Sequence, residues 1–308
     1  LSVSVLSRDA QPVQQSQVHQ WQVHKLRGEE VLLRTWLETR PGHCVLTARW
    51  PRGHEFYRPS GGSYDPLLLA ETVRQVVPLL SHAVHDVPRE YKQAWEEFSF
   101  AVEPAASRVA AADEVRLVVS CSDVVRRGSR FAGMTMDVDV YLGKRLMGIA
   151  HTRFNNQPAA VYRRLRGSYA DLDAAQEGCL PVGPPVDPRR VGRTSPDDVV
   201  LSPALGGERP GRWLLRVDPA HPVLFDHVVD HVPGMLLLEA ARQAAQDVGG
   251  PGTAVIGMRT DFVRYVEFDA PAVVVAGEPV SVGTDRRRIP VRIEQHGVQV
   301  FTAEVTVH

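Results

Sequence analysis

The sequence predicts an α+β fold made of two tandem copies of one unit, each a curved antiparallel sheet wrapped around one long helix. Three observations carry this. First, residues 65–75 repeat without a gap as residues 233–243, so that Leu68, Leu69, Glu71, Arg74 and Gln75 fall on Leu236, Leu237, Glu239, Arg242 and Gln243. Second, the flanks agree. His54 with Phe56 and Tyr57 precedes one stretch and residues 221–225, from His221 to Phe225, precede the other. Alternating β-branched runs follow both, at 115–119 and 136–141, and at 273–275 and 291–294. Third, each copy closes with a hairpin signal, Gly143-Lys144 or His296-Gly297, and a last alternating strand, 146–154 or 298–307.

The helices are bounded by their own chemistry. Asp65 is a capping residue, and Pro66 sits in the first turn, where a missing N–H costs nothing. Pro233 takes that part in the second copy. Residues 235–246 contain no breaker and are rich in Leu and Ala, and Gly249-Gly250 supplies the stop. Pro78 falls inside the first helix and predicts a kink or break there. Both helices are apolar nearly all round, which predicts burial. Residues 1–156 then form the first unit and 211–308 the second. The stretch 157–210 is rich in Pro, Gly and charge and reads as a surface linker, with a short helix near 161–167 packing on copy one.

A length of 308 residues allows about two domains. The formal net charge of -1 gives no global field, so neither nucleic acid nor a membrane surface is an expected partner. No apolar run approaches the roughly 20 residues that span a bilayer, and residues 1–30 lack the apolar core of a leader. Arginine clusters at 126–127, 163–166, 189–190 and 286–288 read as solvated loops and strand ends. Cys44, Cys121 and Cys179 are odd in number and far apart, which excludes a disulfide framework or a zinc site and fits reduced thiols in the cytoplasm.

Candidate chemistry gathers on the helices. A buried carboxylate is costly unless paired. Glu71 with Arg74, and Glu239 with Arg242, stand three residues apart on a helix, where they meet. Such a pair either holds the helix or supplies an acid–base group beside a cation. Its duplication favours the second use, as does the preceding loop, which carries Asp226, His227, Asp230 and His231. His227 and His231 are four apart, but Pro233 argues against a helix there and no third ligand has suitable spacing, so no metal is expected. The Gly234 amide at the helix start can hold a developing oxyanion. No nucleophile elbow, phosphate loop or dinucleotide fingerprint is present.

Residues 65–75, Thr152-Arg-Phe154, 161–167, 230–243 and 262–268, in that order, resemble the A-factor biosynthesis (AfsA) family of γ-butyrolactone autoregulator synthases over nearly the whole chain. The entrance 225–243 also resembles the active-site helix of hot-dog acyl-carrier dehydratases, with a shorter His-to-Pro spacing. The family resemblance implies a double hot-dog fold whose two units pair as an intramolecular pseudo-dimer. It implies transfer of a β-ketoacyl group from acyl carrier protein to the hydroxyl of dihydroxyacetone phosphate. The ester then closes to a butenolide, the precursor of a butyrolactone or furan signal. In that setting Glu239 and Glu71 are proton acceptors, catalytic together with Arg242, and Arg242 or Arg74 meets the phosphate, while Arg74, Gln75, Gln243, Gly234, His227 and Asp230 hold substrate, with no cofactor and no metal. The Asp-His-Val-Pro-Gly entrance stands only before Glu239, so copy two is expected to carry the main site and copy one to complete the cleft. The expected partners are the carrier-bound thioester and dihydroxyacetone phosphate, and the chain is expected as a monomer or homodimer. A hot-dog dehydratase or thioesterase, and a non-catalytic binder of acyl ligands, are the alternatives that the pattern leaves.

Overall fold

The computed structural model describes residues 15–109, 114–204, 206–207 and 209–308; the first fourteen residues of the stretch read as lacking a leader core lie outside these. The first unit runs β1 (Ser16–Gln17), β2 (Leu33–Arg40), β3 (His43–Arg49), α1 (Pro66–Ala83), β4 (Lys92–Val102), β5 (Glu114–Arg127), β6 (Arg130–Leu142) and β7 (Arg145–Gln157). A connector carries α2 (Ala159–Arg166) and α3 (Leu172–Glu177). The second unit runs β8 (Leu201–Pro203), β9 (Arg212–Leu215), α4 (Gly234–Gly249), β10 (Val255–Phe262), β11 (Ala272–Ala276), β12 (Val280–Ser281), β13 (Arg287–Gln295) and β14 (Val298–Val307).

All fourteen strands belong to one antiparallel sheet, in the order β1-β2-β3-β5-β6-β7-β4-β10-β14-β13-β11-β9-β8, with β12 beside β13. The units join where β4 meets β10, each the first strand after its helix. Phe98 faces Thr260 and Ala101 faces Gly257. Equivalent strands lying antiparallel to each other place a two-fold relation between the units. Thr260 Oγ1 tightens the seam by donating to the Phe98 carbonyl at 2.8 Å. A Cβ at position 257 would stand 3.0 Å from the Phe100 carbonyl oxygen, so glycine there permits the close approach.

The helices are buried on nearly every side. α1 buries Leu67, Leu68, Leu69, Val73, Val76 and Leu79. α4 buries Leu236 and Leu238 with Ala240, Ala241, Ala244 and Ala245, whose small side chains let the sheet come close. Asp65 caps α1, accepting from the Leu67 amide at 2.8 Å. Pro78 does not break α1, which runs on to Ala83. An interior proline costs about 3 kcal/mol, but the turn beyond it buries Leu79 and Leu80 almost completely, and each such leucine returns about 1.5–3 kcal/mol. No helix among the described residues is long and apolar enough to cross a membrane.

Only part of the stretch expected as linker behaves as one. From Pro188 onward it folds with the second unit. The 3-10 turns Pro188–Val191 and Pro196–Asp198 take the places that Gln20–Val23 and Gly28–Glu30 take in the first unit. One glutamine pins each segment. Gln75 Oε1 accepts from the Leu32 amide at 2.9 Å, and its Nε2 donates to the Glu30 carbonyl at 2.7 Å. Gln243 Oε1 accepts from the Val200 amide at 2.9 Å, and its Nε2 donates to the Asp198 carbonyl at 2.8 Å. The short helix expected on copy one is α2, but its Tyr162 and Arg166 bond the second unit, at Asp230 and Glu267.

Candidate active site

A cavity of about 1450 Å³ is lined by both units. α1 and the segment before β2 contribute Lys25, Glu71 and Arg74, and the loop before α4 contributes His227, Asp230 and His231. The two-fold relation explains the combination, because it brings the entrance of one helix to the middle of the other.

Glu71 is buried among cations. Its carboxylate accepts from Arg74 Nε at 2.8 Å and Nη2 at 2.9 Å and from Gln75 Nε2 at 2.9 Å, and lies 3.1 Å from Lys25 Nζ. Burial alone would raise its pKa, but the charges of Arg74 and Lys25 and the hydrogen bonds prevail and hold it down to about 2. Both oxygens are engaged, and two cations face one anion, so this end of the cavity is net positive.

Glu239 repeats the arrangement with Arg193 in place of Lys25. It accepts from Arg242 Nε at 2.9 Å and Nη2 at 2.6 Å and from Arg193 Nε at 2.9 Å, with Gln243 as a further donor. Against the effect of burial, Arg193 and Arg242 hold its pKa down to about 2. Yet Glu239, Arg242, Gln243 and Gln75 do not line the cavity. The corner beside Glu239 is filled instead. The Arg193 guanidinium lies 4.0 Å from the centre of the Phe56 ring, its Nη1 donates to the Phe56 carbonyl at 2.6 Å, and Asp65 Oδ2 stands 3.9 Å away. Of two symmetry-related sites one is open and one is plugged. The expectation that copy two holds the main site therefore divides: its loop reaches the open cavity, while its glutamate and arginine face the plug.

The loop before α4 is firmly placed. Asp226 accepts from the amides of Leu26 at 2.6 Å and Arg27 at 3.2 Å, tying the loop to the segment that bears Lys25. His227 is exposed on the cavity wall, its Nδ1 3.7 Å from Asp226 Oδ2. Asp230 is buried and accepts from Tyr162 Oη at 2.8 and 2.7 Å and from His231 Nδ1 at 2.7 Å. Burial opposes its ionisation, but the hydrogen bonds from His231 and Tyr162 hold its pKa down to about 2. An ionised carboxylate only accepts, so the hydrogen of a neutral His231 ring is assigned to Nδ1, which leaves Nε2 as the basic nitrogen. Arg166 Nη2 donates to the Asp230 carbonyl at 3.0 Å and to Glu267 at 2.8 Å, fixing the loop from behind.

The two helix starts differ. α4 has Pro233 at its cap position and no side-chain cap, and the amides of Gly234 and Met235, both cavity residues, have no acceptor among the described residues. Free amides at a helix N-terminus suit a developing negative charge. Gly234 also lets the helix start lie against Trp95, where a Cβ would come within 3.1 Å of the ring.

Sequence reasoning passed over Lys25, Arg193 and Tyr162, and took Asp230 for a substrate ligand where it is the hydrogen-bond partner of His231 and Tyr162. The first two left a trace, since Lys25 stands as far before Glu71 as Arg193 stands before Glu239.

Three carboxylates held near 2 make acid stability predictable. Each contributes above the ordinary glutamate or aspartate range near 4, and the contribution is lost as pH falls through about 2. The melting temperature is therefore expected to fall steeply between about pH 5 and pH 2. A melting temperature that stays flat across that window in circular dichroism would refute the ionised clusters.

Fold and site together define a tandem hot-dog protein with one open cavity shared between its units. The A-factor biosynthesis hotdog domain matches residues 6–156 and again 174–308, and the chain belongs to that family. It is 41% identical over 283 residues to the 2-oxo-3-(phosphooxy)propyl 3-oxoalkanoate synthase of Streptomyces virginiae, spanning 91% of this chain and 94% of that one. The protein of the same name from Streptomyces griseus is 40% identical over 288 residues, spanning 91% and 92%. Among solved structures, the pyran synthase domain from module nine of the sorangicin pathway aligns with a TM-score of 0.50 at 13% identity, over 90% of this chain and 97% of that chain, a likeness of fold.

Proposed function

We propose that the chain is an acyltransferase that joins a 3-oxoacyl group from a thioester to the hydroxyl of dihydroxyacetone phosphate, the activity for which its Streptomyces relatives are named. The observation that carries this reading is the pairing, in one cavity, of a net-positive end with an Asp-oriented histidine and free helix amides. The acceptor's phosphate takes the end formed by Lys25 and Arg74, where the Nη1 side of the guanidinium, away from the edge that holds Glu71, and an ammonium meet phosphate oxygens. Glu71 keeps both cations in place. With its oxygens engaged and its pKa near 2 it is a poor proton acceptor.

The acyl chain lies along Val77, Trp95, Leu237, Phe262 and Val300, with its thioester carbonyl at the amides of Gly234 and Met235. The acceptor hydroxyl attacks that carbonyl carbon as His231 Nε2 removes its proton. The oxyanion rests on the amides. Its collapse breaks the carbon–sulfur bond, and the departing thiolate takes the proton back from His231. Asp230 and Tyr162 hold the ring in the tautomer this needs. The donor arrives on acyl carrier protein, which places the reaction in the cytoplasm. The product is the phosphorylated 3-oxoalkanoate ester, the starting point for closure to a butenolide.

Mixing the purified protein with a 3-oxoacyl thioester and dihydroxyacetone phosphate should yield that ester by mass spectrometry. Unphosphorylated dihydroxyacetone should yield little at the same concentration. Equal rates with both acceptors, or thioester hydrolysis indifferent to the acceptor, would sink the assignment and favour a thioesterase.

A further inference from the structure

We infer that His24 is a third ligand for the acceptor's phosphate, and that it takes up a proton when the dianion arrives. This rests on the reading that the Lys25–Arg74 end receives phosphate.

His24 follows the turn Gln20–Val23 in the left-handed region, at φ 52. The equivalent position in the second unit, after Pro188–Val191 and just before Arg193, is Gly192 at φ 67. Glycine is the ordinary residue for this conformation, and a side chain there is strained. The plugged site uses the glycine. The open site carries an imidazole instead, on a residue that lines the cavity beside Lys25.

A hydrogen-bond chain stands behind the ring. His24 Nε2 lies 2.7 Å from His82 Nε2, and His82 Nδ1 lies 2.6 Å from the Val87 carbonyl oxygen. A carbonyl only accepts, so His82 Nδ1 carries a hydrogen. In a neutral pair His82 Nε2 then accepts from His24 Nε2. That leaves His24 Nδ1 as the bare nitrogen of the ring.

His24 is faced by His82 and Arg74 from α1, Lys92 from β4 and His227 from the opposing loop, with Lys25 next in the chain and Glu71 beyond it. Burial, then the charges of His82, Arg74, His227 and Lys92, push its pKa down to about 3, so the ring is neutral in the empty cavity. A phosphate dianion bound to Lys25 and Arg74 reverses that field. His24 can then bind a proton at Nδ1 and donate it to a phosphate oxygen. Protonated His24 then joins Lys25 and Arg74 against Glu71 and the dianion. An uncharged acceptor supplies no field to raise the affinity of His24 for a proton, so His24 selects for the phosphorylated one.

The test is calorimetric titration of the full chain at pH 7 in two buffers of different ionisation enthalpy, with inorganic phosphate, dihydroxyacetone phosphate and dihydroxyacetone in turn. Dihydroxyacetone phosphate is mostly dianionic there, the second pKa of a phosphate monoester being about 6. The wild type should take up about one proton per dihydroxyacetone phosphate bound. In His24→Ala that uptake should vanish and binding weaken roughly tenfold or more, as loss of a charge-assisted hydrogen bond requires. His24→Gln should bind phosphate without proton uptake. Turnover by His24→Ala should show a raised KM for dihydroxyacetone phosphate with kcat largely kept. Phosphate binding by the wild type without proton uptake, or unchanged uptake in His24→Ala, would overturn the inference and leave the acceptor reading intact. Absence of both phosphate binding and ester formation in the wild type would overturn the acceptor reading itself, and the inference with it.

Discussion

The His231→Ala variant is expected to turn over about 10²–10⁴-fold more slowly than wild type, the usual worth of a positioned proton acceptor, while its melting temperature stays within a few degrees. His231 is half-buried on the cavity wall and packs against Tyr265, ring centres 4.7 Å apart, so trimming it removes modest packing but takes away the imidazole that Asp230 orients at 2.7 Å. Asp230→Asn separates orientation from chemistry. An amide in place of the carboxylate can donate as well as accept, so it no longer fixes the hydrogen on His231 Nδ1, and the rate should fall by about 10²-fold or more with a smaller change in KM. Tyr162→Phe removes a hydrogen bond from the carboxylate but leaves the His231 contact, so its loss should stay near tenfold. Steady-state rates on a fixed 3-oxoacyl thioester, normalised to folded protein, order the three variants. Near-normal turnover in His231→Ala would move the proton acceptor elsewhere in the cavity.

Much of this architecture was legible because it rests on local chemistry. Asp65-Pro66 and Pro233 mark helix starts by what a proline cannot donate, and His296-Gly297 forms a tight turn with both residues at positive φ. The repeated Glu, Arg and Gln were visible because they share one helix face. What escaped depends on contacts between distant segments. Gln75 and Gln243 read as substrate ligands, yet each spends its amide on pinning a strand-like segment, which helix periodicity cannot reveal. Pro78 signals a break by its own chemistry, and the surrounding sheet overrides it. The asymmetry between copies was visible in the Asp-His-Val-Pro-Gly entrance. Its consequence was not, because the two-fold pairing sends that loop to Glu71 on the other helix rather than to Glu239 on its own.

The largest effect on stability is expected at Glu239, away from the open cavity. Glu239→Ala leaves Arg193 and Arg242 buried with no carboxylate between them; their side chains are 5% and 6% exposed. Removing one partner of a buried ionic cluster costs about 3–5 kcal/mol, a large share of the roughly 5–15 kcal/mol that holds a typical protein folded. For a chain of this size the melting temperature should drop by roughly 10 °C. Turnover per folded molecule should remain near wild type, since the plug of Arg193 on Phe56 separates this corner from the reacting groups. Glu71→Ala should behave in the opposite sense. Arg74 lines the cavity with its side chain 23% exposed, so the stability cost is smaller, but Arg74 and Lys25 lose their anchor and the KM for dihydroxyacetone phosphate should rise by about tenfold or more. Two glutamates alike in their Arg and Gln partners and in their depressed pKa thus separate by what lies beyond them, a cavity in one case and a phenylalanine in the other. Thermal melts paired with turnover normalised to folded protein read both quantities. A Glu239→Ala protein that melts like wild type but has lost turnover would reverse the assignment of the open and plugged sites.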